Sequence, residues 1–143
     1  MARIKIKLPD CFIAGFTIPV RITDINYGNH VGNNAFVEII HEARMLWLKQ
    51  YGYTELDIEG TGLIMSDLAI DFKNEAVYGD TVEVKLGIGE ITRVSFELYY
   101  QLSAKRNEKT HLLAHAKTGM VCFDYNAKKV APIPEKLIII INV

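Results

Sequence analysis

One stretch decides most of what this chain can become. Within residues 35–50, Phe36, Ile39, Ile40, Ala43 and Trp47 recur at i, i+3, i+4, i+7 and onward, the stripe of an amphipathic helix. Val37, Met45 and Leu48 place further apolar surface off that stripe. A helix that is apolar on more than one side must be wrapped, because a flat support would leave part of it in water. Asn33 and Asn34 stand where an N-cap belongs, and Gly52 stands near C′. Thr54-Glu55-Leu56-Asp57 offers the cap of one further helical turn, which Gly60 and Gly62 end.

The wrapping has to come from the rest of the chain, and the rest alternates with period two. Phe12, Ala14, Phe16, Ile18, Val20 and Ile22 share a face of a first strand, and Ile64, Leu68, Ile70 and Phe72 of a second. Val82, Val84, Leu86 and Ile88 mark a third, and Val94, Phe96, Leu98, Tyr100 and Leu102 a fourth. A fifth runs over residues 112–125 with looser alternation, and Gly119 inside it predicts a bulge or bend. Turns are expected at Tyr78-Gly79-Asp80, at residues 90–93 and at residues 105–110. Links this short favour antiparallel neighbours, since a parallel crossover needs a dozen or more residues. The expected class is α+β: one domain over residues 1–143, a curved antiparallel sheet of five to six strands around one long helix. The aliphatic run Leu137 to Ile141, within residues 136–143, reads as an edge strand or a subunit contact.

Composition narrows the function. Half of the 143 residues are hydrophobic and 23% are charged, which excludes disorder for most of the chain. The net charge of −1 offers no basic excess for nucleic acid. Cys11 and Cys122 form no CxxC pair, so neither a disulfide framework nor a structural zinc site is expected. The alternating start Arg3-Ile4-Lys5-Ile6-Lys7 is followed by no signal-peptide h-region, and the longest aliphatic run is far short of a membrane span. The expectation is a soluble, cytoplasmic protein that binds no membrane.

Several chemistries find no motif: GxSxG, GxxxxGK[ST] and a strand-borne GxGxxG are all absent. His41-Glu42-Ala43-Arg44-Met45 is not HExxH. His111 and His115 share a parity on the fifth strand, about 13 Å apart, too far for one metal. No metal and no cofactor is therefore expected. The informative segment runs from Arg21 to Phe36 and leaves a strand to enter the long helix. Between Asp24 and Asn34 it holds a carboxylate, the His30 imidazole and four asparagines. Each alone is common turn chemistry. Together they stand at a helix N-terminus, whose unpaired N–H groups can hold a developing oxyanion.

Asp24-Ile25-Asn26-Tyr27-Gly28-Asn29-His30-Val31-Gly32-Asn33-Asn34-Ala35-Phe36 resembles the loop of hotdog-fold acyl-CoA and acyl carrier protein thioesterases, the 4-hydroxybenzoyl-CoA thioesterase-like superfamily. His41-Glu42-Ala43-Arg44 matches the family's Glu-Ala-Arg helix segment, and Val77-Tyr78-Gly79-Asp80-Thr81-Val82 its following turn and strand. The common loop has His-Val-Asn-Asn, so Gly32 is one residue extra. The resemblance implies a helix wrapped by a curved sheet and a homodimer with a continuous sheet, often assembled into tetramers. It implies a thioester hydrolase acting on acyl-CoA or an acyl carrier protein ester. Asp24 would be base or nucleophile, and backbone N–H groups near Gly32, Asn33 and Asn34 would hold the oxyanion. His30 would be catalytic beside Asp24, and Asn26 and Tyr27 would bind substrate.

Rivals stay open. Glu38 and Glu42 are alternative helix carboxylates, against a reading as a solvated face with Arg44 and Lys49. Arg93, Lys105, Arg106 and Lys117 are candidates for coenzyme A phosphates, and Phe36, Ile40, Met65 and Tyr99 for an acyl pocket. The same fold also serves acyl-CoA-binding modules without turnover. Hotdog hydratases carry a loop of the form Asp-x-Asn-Pro-x-His, whose proline is missing here.

Overall fold

The computed structural model describes residues 2–142, so Met1 and Val143, the ends of the expected domain over residues 1–143, lie outside it. The long helix, α1, spans Asn33–Lys49, and the described residues add six strands and a short second helix. The strands are β1 (Ala14–Pro19), β2 (Gly62–Phe72), β3 (Thr81–Ile91), β4 (Ser95–Arg106), β5 (Lys109–Asp124) and β6 (Lys129–Val130). They form one antiparallel sheet in the order β1-β3-β4-β5-β2, with β6 on β5. Among the described residues no helix is long and apolar enough to cross a membrane.

The sheet supplies the sheath that α1 requires. Val82, Val84 and Leu86 of β3 and Phe96, Leu98, Tyr100 and Leu102 of β4 are buried with Phe36, Ile39, Ile40, Ala43 and Trp47. Each full burial of such a side chain contributes about 1.5–3 kcal/mol. Three register shifts bend the sheet. The expected bulge at Gly119 lies on the strand opposite: Ser66 is the extra residue of β2 between the pairs Met65–Met120 and Asp67–Gly119. A Cβ at Gly119 would meet Asp67 Oδ1 and Ser66 Oγ at 2.7 Å, so glycine lets the bulge close on β5.

Several local expectations are corrected. β2 and β3 are joined by a short link but are not neighbours, because β2 pairs with β5 and β1 with β3. The β4–β5 loop tightens to Asn107-Glu108, both left-handed (φ 50° and 66°), as a two-residue hairpin requires. Thr54 and Asp57 close a bridged turn rather than a helical one. The bulge between Leu102 and Ser103 puts His111 opposite core-facing Ala104, whereas His115 pairs with outward-facing Gln101, so the two histidines lie on opposite faces. The aliphatic run is not a strand: α2 spans Glu135–Ile141 and buries Leu137 and Ile141, spaced i, i+4.

One polar chain crosses this core. Arg44, with 5% of its side chain exposed, donates from Nη1 to the Tyr100 hydroxyl (3.2 Å), which also meets Thr118 Oγ1 (2.8 Å). Burial is the main cause that raises the Tyr100 pKa. Removing this hydroxyl leaves two buried groups without their partner. Tyr100→Phe is therefore expected to cost about 1–3 kcal/mol in urea denaturation; an unchanged midpoint would show that the network carries no weight.

Candidate active site

The loop before α1 is closed by its own polar groups. A single 3-10 turn, Ile22–Asp24, follows β1. The Asp24 carboxylate accepts the Arg21 backbone N–H (2.8 Å) and its guanidinium through Nε (3.4 Å) and Nη2 (3.0 Å). One per cent of the Asp24 side chain is exposed against 62% for Arg21. A carboxylate so desolvated needs such partners. The pairing works in return on Arg21, whose pKa it raises, Asp24 being the main cause.

Beyond Asp24 the chain doubles back. Ile25 bridges to Val31, Asn26 N–H donates to the His30 carbonyl (2.9 Å), and Gly28 N–H donates to Asn26 Oδ1 (2.8 Å). Asn29 takes the left-handed conformation at φ 69°. Gly32 N–H then donates to the Asp24 carbonyl (3.0 Å), and Val31 N–H to the Ala76 carbonyl (2.8 Å). These two bonds set the start of α1 beside Asp24.

The N-cap is Gly32, without a side-chain cap, so Asn33 and Asn34 fall inside the first turn rather than capping it. The residue extra to the common pattern takes the cap itself. A Cβ at Gly32 would approach Asn34 Oδ1 to 2.8 Å. Ala35 and Phe36 donate to the Gly32 carbonyl (3.0 and 3.2 Å), which leaves the Asn33 and Asn34 amides as first-turn donors without a helical acceptor. They carry the positive end of the helix dipole.

A cavity of about 210 Å³ adjoins this terminus, with His30, Asn33, Phe36, Phe72, Lys73 and Glu75 in its wall. His30 Nε2 lies 3.7 Å from Glu75, and its Nδ1 3.3 Å from the Val31 carbonyl. The structure thus brings His30 and Asn33 to one cavity and joins Asp24 to Gly32 by a backbone bond. The Asp24 carboxylate faces Arg21, which with Glu38 and Glu42 lines a larger cavity of about 600 Å³ between β1 and α1. Asn26 holds the turn, Asn34 is exposed, and Tyr27 stands fully in solvent.

Other candidates sort by contact. Glu38 is exposed and pairs weakly with Arg21 (3.5 Å). Arg44 is not on that solvated face: it points inward and donates from Nε to Glu55 (3.3 Å). Sequence spacing carried no sign of this pair, because Glu55 lies in the irregular segment after the helix. Arg106 is spent on Asp80 and the Glu75 carbonyl, and Lys117 on Asp67. The Arg106 guanidinium holds the Asp80 carboxyl below the usual carboxylate range. Arg93 and Lys105 are exposed. Phe36 lines the smaller cavity, and Ile40 and Met65 line a third. Tyr99 does not join them: it alternates with core-facing Tyr100 and meets Glu97 on the outer face (3.4 Å). Both cysteines are free, and burial pushes the Cys122 thiol to about 11, which leaves it protonated near neutral pH.

Solved structures share this architecture. A 1,4-dihydroxy-2-naphthoyl-CoA thioesterase from Synechocystis superposes with a TM-score of 0.79 at 27% identity, over 90% of this chain and 94% of that one. A putative thioesterase from Pseudomonas aeruginosa does so with a TM-score of 0.80 at 21% identity, over 89% and 96%. An aspartate-to-asparagine variant of 4-hydroxybenzoyl-CoA thioesterase, complexed with 4-hydroxybenzoyl-CoA, gives 0.79 at 17% identity, over 90% and 97%. At such identities the last two speak for the fold alone. No curated protein matches the sequence. The model of the thioesterase-like superfamily matches residues 20–139. With that match over most of its length and a sheet-wrapped central helix, the chain belongs to the thioesterase-like superfamily and has its hotdog fold.

Proposed function

We propose that this chain, working as one domain, hydrolyses acyl thioesters of coenzyme A or of an acyl carrier protein. The observation that carries the reading is the junction of Asp24 with the start of α1, through the 3.0 Å bond from Gly32 N–H to the Asp24 carbonyl. That bond joins the residue bearing a carboxylate to the turn bearing unpaired helix amides, the two parts that thioester hydrolysis needs. In one route Asp24 takes a proton from water, and the hydroxide adds to the thioester carbonyl. In the other, Asp24 itself adds, and water hydrolyses the resulting anhydride. Either tetrahedral oxyanion is held by the Asn33 and Asn34 amides and collapses by releasing thiolate. The acid leaves, and the thiolate takes up the proton. His30, in the cavity wall with Asn33, orients the water or the carbonyl, and Asn26 keeps the turn beneath it. Because Arg21 is largely exposed, its guanidinium can swing away from Asp24 while its backbone N–H still holds Oδ2.

Thiol release from short, medium, long and aromatic acyl-CoAs, and from an acyl carrier protein ester, tests the reading. Asp24→Asn is expected to lose about two decades or more in rate. Glu38→Gln and Glu42→Gln are expected to stay within about twofold of the wild type, as exposed charges outside the reaction do. Loss at either glutamate with Asp24→Asn active would move the base onto the helix. Tight acyl-CoA binding without turnover would favour a binding module instead.

We also infer a homodimer, paired further into tetramers, through the free edge of β2. This strand closes one side of the sheet over 11 residues and leaves Ile64, Met65 and Phe72 exposed. A long, apolar edge is a template for a second strand; the chain itself meets only the ends of this one among the described residues, Leu63 N–H donating to the Glu55 carbonyl (2.7 Å) and Arg3 to the Phe72 carbonyl (2.7 Å). Sedimentation equilibrium is expected to give at least a dimer, and Met65→Lys to weaken it; a monomer at micromolar concentration would contradict this.

A further inference from the structure

The α1–β2 seam carries more than one cavity. The smaller one at the helix N-terminus ends at Phe36 and Phe72, whose rings meet edge to face at 5.3 Å. Directly past them on both elements lies another, of about 330 Å³. Its walls are apolar: Val37 and Ile40 of α1 against Leu68 and Met65 of β2. The remaining lining is not. Arg44, Glu55 and His41 meet there, with His41 Nε2 on one Glu55 oxygen and Arg44 Nε on the other.

This end is built for an acceptor. Both Glu55 oxygens are engaged. Arg44 uses Nε on Glu55 and Nη1 on Tyr100, two of its five N–H groups, and 5% of its side chain is exposed. A guanidinium beneath an apolar chamber therefore offers donors that a hydrocarbon cannot meet, and burying them unpaired is costly. Asn33 and Arg44 are eleven residues apart, about 16 Å of helix axis, and the arginine side chain leans back toward the helix start. That lean shortens the distance by several ångströms, to one that an extended acyl group of medium length reaches from a carbonyl at the Asn33 amide.

We propose that the α1–β2 seam is the acyl channel, running over the partly exposed Phe72 ring that parts its two cavities, and that its Arg44–Glu55–His41 end selects acyl groups carrying an oxygen acceptor, hydroxyl or carboxylate, at their far end. The inference rests on the hydrolase reading for where the carbonyl sits.

The test uses three coenzyme A esters of equal length: octanoyl, 8-hydroxyoctanoyl and the mono-ester of octanedioic acid. One or both oxygen-ended esters should exceed octanoyl-CoA in kcat/KM by about tenfold or more, because a site built to hydrogen-bond rejects the analogue that cannot. The hydroxyl and carboxylate arms separate a neutral acceptor from an anion. His41→Ala and Arg44→Lys should bring the three values together. Leu68→Trp, which fills the chamber, should lower the ratio of octanoyl to acetyl turnover. Equal kcat/KM for the three esters in the wild type overturns the proposal. So does a uniform loss on all three in His41→Ala and Arg44→Lys, the mark of a purely structural cluster. Should the wild type cleave neither these nor any ester of the panel above, calorimetric binding of the same three esters decides: a tenfold preference for an oxygen-ended ester keeps the channel while the hydrolase reading falls, and no preference removes both.

Discussion

Two backbone hydrogen bonds hold the candidate site together. Gly32 N–H on the Asp24 carbonyl and Val31 N–H on the Ala76 carbonyl fix where α1 begins. The first sets the helix start against the turn that carries Asp24. The second ties it to the segment before β3, where Asp80 caps Val77 N–H (2.9 Å) and is anchored by Arg106. Without this clamp the first-turn amides would have no fixed position relative to any carboxylate, and oxyanion stabilisation depends on fixed dipoles. The buried stripe of α1 supplies the opposing force, since Phe36, Ile39 and Ile40 lie within two turns of the clamp and are nearly inaccessible.

What was legible followed from alternation. On β3 and β4 every second residue faces the core, so parity alone marked Val82, Val84, Leu86, Phe96, Leu98, Tyr100 and Leu102 correctly. The helix was legible because its stripe, Phe36 to Trp47, repeats over about three turns. The sheet order was not, because a short link records where two strands are joined and not which edges pair. Except at Gly119, bulges were invisible for a related reason. One inserted residue at Leu113 reverses the parity of everything before it on β5, and so parts His111 from His115. The β-branched run Ile138-Ile139-Ile140-Ile141 misled by composition: burial of Leu137 and Ile141 on one side made it a helix.

At the site the residue types were legible and their partners were not. The loop showed a carboxylate before a helix start, and in the fold the backbone carbonyl of that residue accepts from the helix N-cap, Gly32. Nothing in the spacing showed that Arg21 would take up both Asp24 oxygens, or that Gly32 would be the cap in place of Asn33. Arg44 is the clearest case. By period it belongs to a helix flank that could face water. A glutamate from the segment after the helix and a tyrosine from β4 pair with it and draw it inward. Buried charge needs such compensation, and it is supplied by residues distant in sequence.

The central claim is geometric: a thioester carbonyl sits at the start of α1 within reach of residue 24. A crystal structure of Asp24→Asn soaked with a slowly cleaved acyl-CoA tests it most directly. The account predicts the carbonyl oxygen at hydrogen-bond distance, about 2.7–3.2 Å, from the Asn33 or Asn34 amide, with the residue 24 side chain beside the carbonyl carbon. A thioester seated in the β1–α1 cavity beside Glu38 and Glu42, away from those amides, would contradict it.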